Sequence, residues 1–164
     1  MVYRYFYDCE FIEDGQVVDL VSIGVVDEYD REFYAISTEF DDSKAVPWVR
    51  RHVLDKLPSP ADPAWRPRER IRDELHAFLV EPVRGRPGET IELWAWYAAY
   101  DHVALAQLWG AMPALPREIP RFTKELRQLW DDRGRPALPS AGADQHDALA
   151  DARHNLARWN AMRL

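Results

Sequence analysis

The chain has 164 residues, and its 28 acidic side chains outnumber 21 Lys and Arg, giving a formal net charge of −7 with histidines neutral. Such a length fits one domain spanning 1–164, and a composition of 47% apolar and 12% aromatic residues excludes intrinsic disorder. The negative charge excludes capture of polyanions by bulk electrostatics alone, while a single cysteine, Cys9, excludes an intramolecular disulfide and fits a reducing compartment.

Residues 3–11 read as an aromatic-rich strand, with no apolar signal region at the N-terminus. Residues 16–27 form a second strand after the turn signal Glu13-Asp14-Gly15, and 32–40 a third after the polar turn at 28–31. Three consecutive strands with short turns predict an antiparallel meander. The unbroken apolar centre of the second strand predicts cover on both its faces. Pro47 opens a short helix to about Leu54, with Trp48, Val49 and Val53 as its apolar positions. Pro58, Pro60, Pro63 and Pro67 interrupt the chain before a helix over 68–80, where Ile71, Leu75, Phe78 and Leu79 recur at helical spacing. An apolar strand follows at 90–97. The longest apolar run, 94–100, is far below the ~20 residues that span a bilayer, so a soluble, cytoplasmic protein is expected. Next come a helix over 101–110 stopped by Gly110, a small strand near 121–124 and a helix to about Asp132. A loop over 134–143 and a terminal helix over 144–163 complete the chain. This order predicts an α/β fold, a mixed sheet with helices on both faces.

Charge is unevenly spread. Residues 1–45 hold three basic and twelve acidic side chains, whereas 50–72 hold seven basic against three acidic. The arginines of that segment, chiefly Arg66, Arg68 and Arg70, read either as a solvated face or as an arm contacting phosphates beside an acidic site.

Three groups of carboxylates carry the chemistry. Asp8 and Glu10 are two apart on an apolar strand, so alternation puts both on one face. Burying like charges that close is costly, and a divalent cation relieves it; hard oxygen donors without soft ligands favour Mg²⁺ or Mn²⁺. The alternative is a strand that ends at Tyr7, with both acids in water. Asp101 follows the apolar strand at a helix start, a position suited equally to capping and to metal binding. His146 and Asp151 open the last helix, with Asp144 as its natural N-cap and Asp147 adding charge to the first turn. A regular helix would set His146 and Asp151 a turn and a half apart, off any common stripe, although a histidine near the helix entrance can still lean over a site that Asp151 reaches. The other histidines read as structural or solvated.

D-x-E on the first strand (Asp8, Glu10), an aspartate after an apolar strand and an aromatic residue (Tyr100-Asp101), and H-x-x-x-x-D near the end (His146, Asp151) together resemble the DEDDh 3′–5′ exonucleases. The resemblance covers nearly the whole chain. It is strongest toward the compact RNase T-related group, in particular the actinobacterial exoribonucleases described as polyadenylate-specific. One departure stands out: the family's H-N-A-x-F-D motif is here Trp96-Tyr97-Ala98-Ala99-Tyr100-Asp101. The resemblance implies an RNase H-like fold, with a five-stranded mixed sheet whose first three strands are antiparallel, flanked by helices. It implies that Asp8, Glu10, Asp101 and Asp151 hold two Mg²⁺ or Mn²⁺ ions and that His146 is the general base. The substrate would be single-stranded RNA with a free 3′ end and the products nucleoside 5′-monophosphates. Phe11, and after it Trp94 or Trp96, would stack the terminal base. Relatives of this size suggest a homodimer. A DNA-directed 3′–5′ exonuclease and an inactive nucleic-acid-binding module on the same fold are the competing readings.

Overall fold

Alternation along the first strand sets the architecture. In the computed structural model, which describes residues 1–163, β1 (Val2–Glu13) turns Tyr5, Tyr7 and Cys9 toward one core and Phe6 toward another. β1 pairs antiparallel with β2 (Val18–Asp27), which pairs antiparallel with β3 (Glu32–Ser37), giving the expected meander. The third strand ends at Ser37, short of residue 40, where the Ser37 hydroxyl accepts from the Glu39 N–H (3.1 Å) and turns the chain. β4 (Trp65–Arg66) then adds a short parallel edge to β3. β5 (Thr90–Ala95) lies parallel to β1 on its other side, and β6 (Lys124–Glu125) lies parallel to β5. The order is β4-β3-β2-β1-β5-β6. Six strands therefore replace the expected five, because the two residues of β4 emerge from the proline-rich stretch in register with Ile36 and Ser37.

Among the described residues five α-helices flank the sheet: α1 (Pro47–His52), α2 (Arg68–Val80), α3 (Ala98–Ala106), α4 (Leu126–Asp132) and α5 (Ala148–Met162). Ile71, Leu75 and Leu79 of α2 and Leu105 of α3 bury Tyr5, Tyr7, Ile23 and Val25 on one face. Ala152, Trp159 and Met162 of α5, with Leu126 of α4, bury Phe6 and Val26 on the other. Each such large side chain contributes about 1.5–3 kcal/mol on burial. Cover on both faces of β2 is thus realised.

Two features of this packing create a crevice. The β1–β5 register runs from Val2↔Thr90 to Phe6↔Trp94 and stops there. Beyond it, the edge groups of β1 need other partners. Asn155 of α5 donates to the Tyr7 carbonyl (3.0 Å), and the Asp101 carboxylate accepts from the Cys9 N–H (2.8 Å). The second feature is Gly24, paired with Asp8 across the sheet. A Cβ there would lie 2.4 Å from backbone atoms of Ala148 and Leu149. Only a glycine lets the first turn of α5 press so closely on the sheet beside Asp8.

Candidate active site

At the parting of β1 and β5 lies a cleft of about 500 Å³ whose walls include Asp8, Glu10, Asp101, His146 and Asp151. β1 continues regularly through both of its acids, so the reading in which the strand ends at Tyr7 does not hold. Asp8 and Glu10 share the face of Phe6, and the register slips by one residue between Glu10 and Phe11, directly after them.

Asp101 is not the cap of α3. The helix starts three residues earlier than expected, after Tyr97 in a left-handed conformation (φ 57°). Its first N–H groups are taken by Glu125, whose carboxylate accepts from Tyr97 (2.8 Å) and Ala98 (2.7 Å) and also from Arg127 at the start of α4 (2.9 Å). One side chain thus caps two helices, and Asp101 is free to turn inward, 5% exposed, onto the Cys9 N–H. Ala98 packs in the core, so its small size serves helix–sheet packing.

The last helix, by contrast, begins later than expected, at Ala148. Its cap is Asp147, which accepts from the Ala150 N–H (2.8 Å), and not Asp144. His146 therefore lies outside the helix, with φ 68°. This left-handed turn folds it back, so that its N–H donates to the Asp151 carboxylate (2.9 Å). The separation imposed by a regular helix disappears. Among the described residues, ligand atoms of Glu10, His146 and Asp151 all lie within 4.8 Å of one another, while Asp8 and Asp101 line the same cleft outside this triplet.

Electrostatics set the site apart. Burial, reinforced by repulsion from Asp101, Glu10 and Asp151, raises the Asp8 carboxyl well above the usual carboxylate range. Burial and then Asp151 and Asp101 push Glu10 up to about 8. Asp101 rises to about 7 through burial, against the pull of the Cys9 N–H, and Asp151 also rises through burial. Oxygen donors whose negative charge is this unfavourable, with imidazole alongside, form a set suited to hard divalent cations.

The remaining candidates divide. Phe11 lines the cleft and stacks on Tyr100 with ring centroids 5.7 Å apart and 13° between planes. Trp96 also lines it. Trp94 does not: its indole donates to Glu92 (3.1 Å) and packs beside Lys124 of the neighbouring β6. Arg66, Arg68 and Arg70 stand outside the cleft as well, each beside an acid. Arg66 and Arg70 both pair with Glu74 (2.5 and 2.6 Å), and Arg68 pairs with Asp19.

The cleft also contains residues that sequence reasoning passed over. Trp48, read as an apolar position of its helix, is 52% exposed and meets the His146 ring edge-on at 4.8 Å. A helix of only six residues, with three basic side chains in its last turn, is too short to bury it. His154, read as structural or solvated, lines the cleft, as do Asn155 and Arg158. The signal for these was present: positions 151, 154, 155 and 158 fall on one helical face.

Comparison with known proteins gives the family. The family model of the 3′-5′ exoribonuclease Rv2179c-like domain matches residues 3–163. Two curated relatives, the 3′-5′ exoribonucleases Rv2179c and MT2234.1 from two strains of Mycobacterium tuberculosis (H37Rv and CDC 1551), are each 60% identical to the chain over 156 residues. The match covers 95% of this chain and 90% of each relative.

Proposed function

The chain belongs to the Rv2179c-like 3′-5′ exoribonuclease domain family and is a 3′–5′ exoribonuclease by that membership; on this premise we propose a mechanism in which the acidic cleft performs the hydrolysis. In this reading Asp8, Glu10, Asp101 and Asp151 hold two Mg²⁺ or Mn²⁺ ions, and the chain acts on single-stranded RNA from a free 3′ end. The observation that carries it is the convergence of four carboxylates, each destabilised in its charged form, on one cleft with His146. When bound, the cations would supply an activated water and charge stabilisation for the leaving 3′ oxygen.

The chain's own residues do the rest. His146, tethered through its backbone to Asp151, accepts the proton of the attacking water as general base. The stacked Phe11–Tyr100 pair offers an aromatic face for the terminal base, Trp96 lines the same cleft beside it, and Trp48 backs the His146 ring. The DEDDh assignment, a homodimeric state, a cytoplasmic setting and release of 5′-monophosphates belong to the same proposal. Among the described residues no helix is long and apolar enough to cross a membrane.

The test is digestion of 3′-labelled and 5′-labelled RNA and DNA oligomers with and without Mn²⁺. The expected result is metal-dependent release of 5′-mononucleotides from the RNA 3′ end. Comparison of homopolymers then measures any adenylate preference. Degradation of DNA alone, or binding of RNA without cleavage in any metal, removes the proposal.

A further inference from the structure

Arg158 is the one Lys or Arg among the residues that line the acidic cleft. α5 presents Asp151, Asn155 and Arg158 at i, i+4 and i+7, so the arginine lies two turns along the face that carries the aspartate. Its guanidinium carbon stands 4.3 Å from the centroid of the Trp96 ring, and its Nη1 donates to the Asn155 Oδ1 at 2.9 Å. Asn155 is 1% exposed, and its own Nδ2 is fixed on the Tyr7 carbonyl, one residue before Asp8. A chain of contacts therefore holds the guanidinium in place relative to the acidic pair on β1.

Its charge has no contact ion-pair partner among the described residues, and Asp151 and Asp8 act on it only at longer range across the cleft. Arg66, Arg68 and Arg70 each meet a carboxylate within ion-pair distance, whereas among the described residues Arg158 forms no such pair. Asn155 and Trp96 orient it without neutralising it, and most of its five donors remain available. An oriented, unpaired guanidinium in an acidic cleft is matched to an anionic group on the ligand. A planar fork fits the paired oxygens of a phosphate, which a lysine in the same place could not grip bidentately.

We propose that Arg158 binds a phosphate of the RNA in the cleft, gripping non-bridging oxygens of the 3′-terminal nucleotide, with Trp96 as its platform. This rests on the exoribonuclease reading above. It also gives a role to the sequence's departure at Trp96: the indole stands where the family pattern has a histidine, and it carries the arginine. The grip answers the charge problem of a −7 chain acting on a polyanion at the point where the acids are densest.

The test compares binding of adenosine 5′-monophosphate and of adenosine, by calorimetry in Mg²⁺, to the wild-type protein and to Arg158→Met and Arg158→Lys. Methionine keeps apolar cover on Trp96, and lysine keeps charge without the fork. The expected result is a loss of at least ~10-fold in monophosphate affinity for Arg158→Met, with adenosine changed less than about twofold. KM for a short oligoribonucleotide rises in parallel, and Arg158→Lys recovers part of both. Equal losses for nucleotide and nucleoside, or none for either, overturn the assignment, as does equal wild-type affinity for the two probes. If Arg158→Met does not fold, Arg158→Lys decides by the same comparison. A wild-type protein that cleaves no RNA refutes the exoribonuclease reading instead. One that cleaves RNA while Arg158→Met cleaves it equally well refutes only the phosphate grip.

Discussion

At the scale of single residues, the cleft is built from groups that serve function against stability. Asp8 is held where its ionised form is opposed by burial and by three other carboxylates. Replacing it with asparagine keeps its shape and removes the charge. Asp8→Asn is expected to raise the melting temperature of the metal-free protein by a few degrees, about 1 kcal/mol for a domain of this size. Hydrolysis should fall by at least ~10²-fold, the scale of losing one electrostatic group in an active site. Wild-type turnover, or a lower metal-free melting temperature, contradicts the assignment. His146 is separable from the acids by a different measurement. Its imidazole is within ligand range of Glu10 and Asp151, so geometry alone permits either base or ligand. As general base, His146→Ala loses ~10²–10⁴-fold in kcat with Mn²⁺ affinity retained. A loss centred on Mn²⁺ affinity makes it a ligand.

At the scale of elements, the site depends on how closely α5 approaches β1 and β2. Gly24→Ala inserts a methyl against the backbone of Ala148 and Leu149, atoms that cannot yield as a side-chain end could. Overpacking of this kind costs roughly 1–3 kcal/mol. Its larger effect is to displace the helix that carries Asp151, Asn155 and Arg158, and a shift of ~1 Å near reacting groups costs about 10²-fold in rate. Gly142→Ala, where nothing lies within 4 Å, is the neutral control. Equal kcat for the two variants would show that the close approach does not position the site. The same elements show what a sequence can disclose. The pairing of Asp8 with Glu10 was legible because strand alternation is local. The start of α3 was not, because its cap comes from Glu125, 27 residues beyond Ala98. The start of α5 offered two aspartates three residues apart, and only tertiary packing chose Asp147. The ion pairs of the basic run at 66–70 were partly legible: Asp19, the partner of Arg68, is distant in sequence, whereas Glu74 lies at helical spacing from Arg70.

At the scale of the whole molecule, the cleft couples folding to pH and to cations. Asp8, Glu10, Asp101 and Asp151 all have folded-state values above their ordinary ones. At neutral pH the folded protein therefore binds more protons than the unfolded chain, so stability falls as pH rises. For these four groups the contribution is complete below the ordinary carboxylate range. It is lost as pH climbs through the folded values, about 7 for Asp101 and about 8 for Glu10. The metal-free protein should thus melt at progressively lower temperature between pH 5 and pH 8.5 (~ the window set by these shifts). Divalent cations compete with the protons for the same oxygens, so added Mn²⁺ should raise the melting temperature far more at the alkaline end. At ~100-fold excess over the dissociation constant the gain is about 2.7 kcal/mol. The Asp8→Asn, Glu10→Gln double variant should flatten both dependences together, because it removes the protons and the cation ligands at once. Thermal melts with and without Mn²⁺ across this range decide the matter: a flat metal-free profile, or a Mn²⁺ effect of equal size at both ends, would mean that the four carboxylates do not form one electrostatic unit.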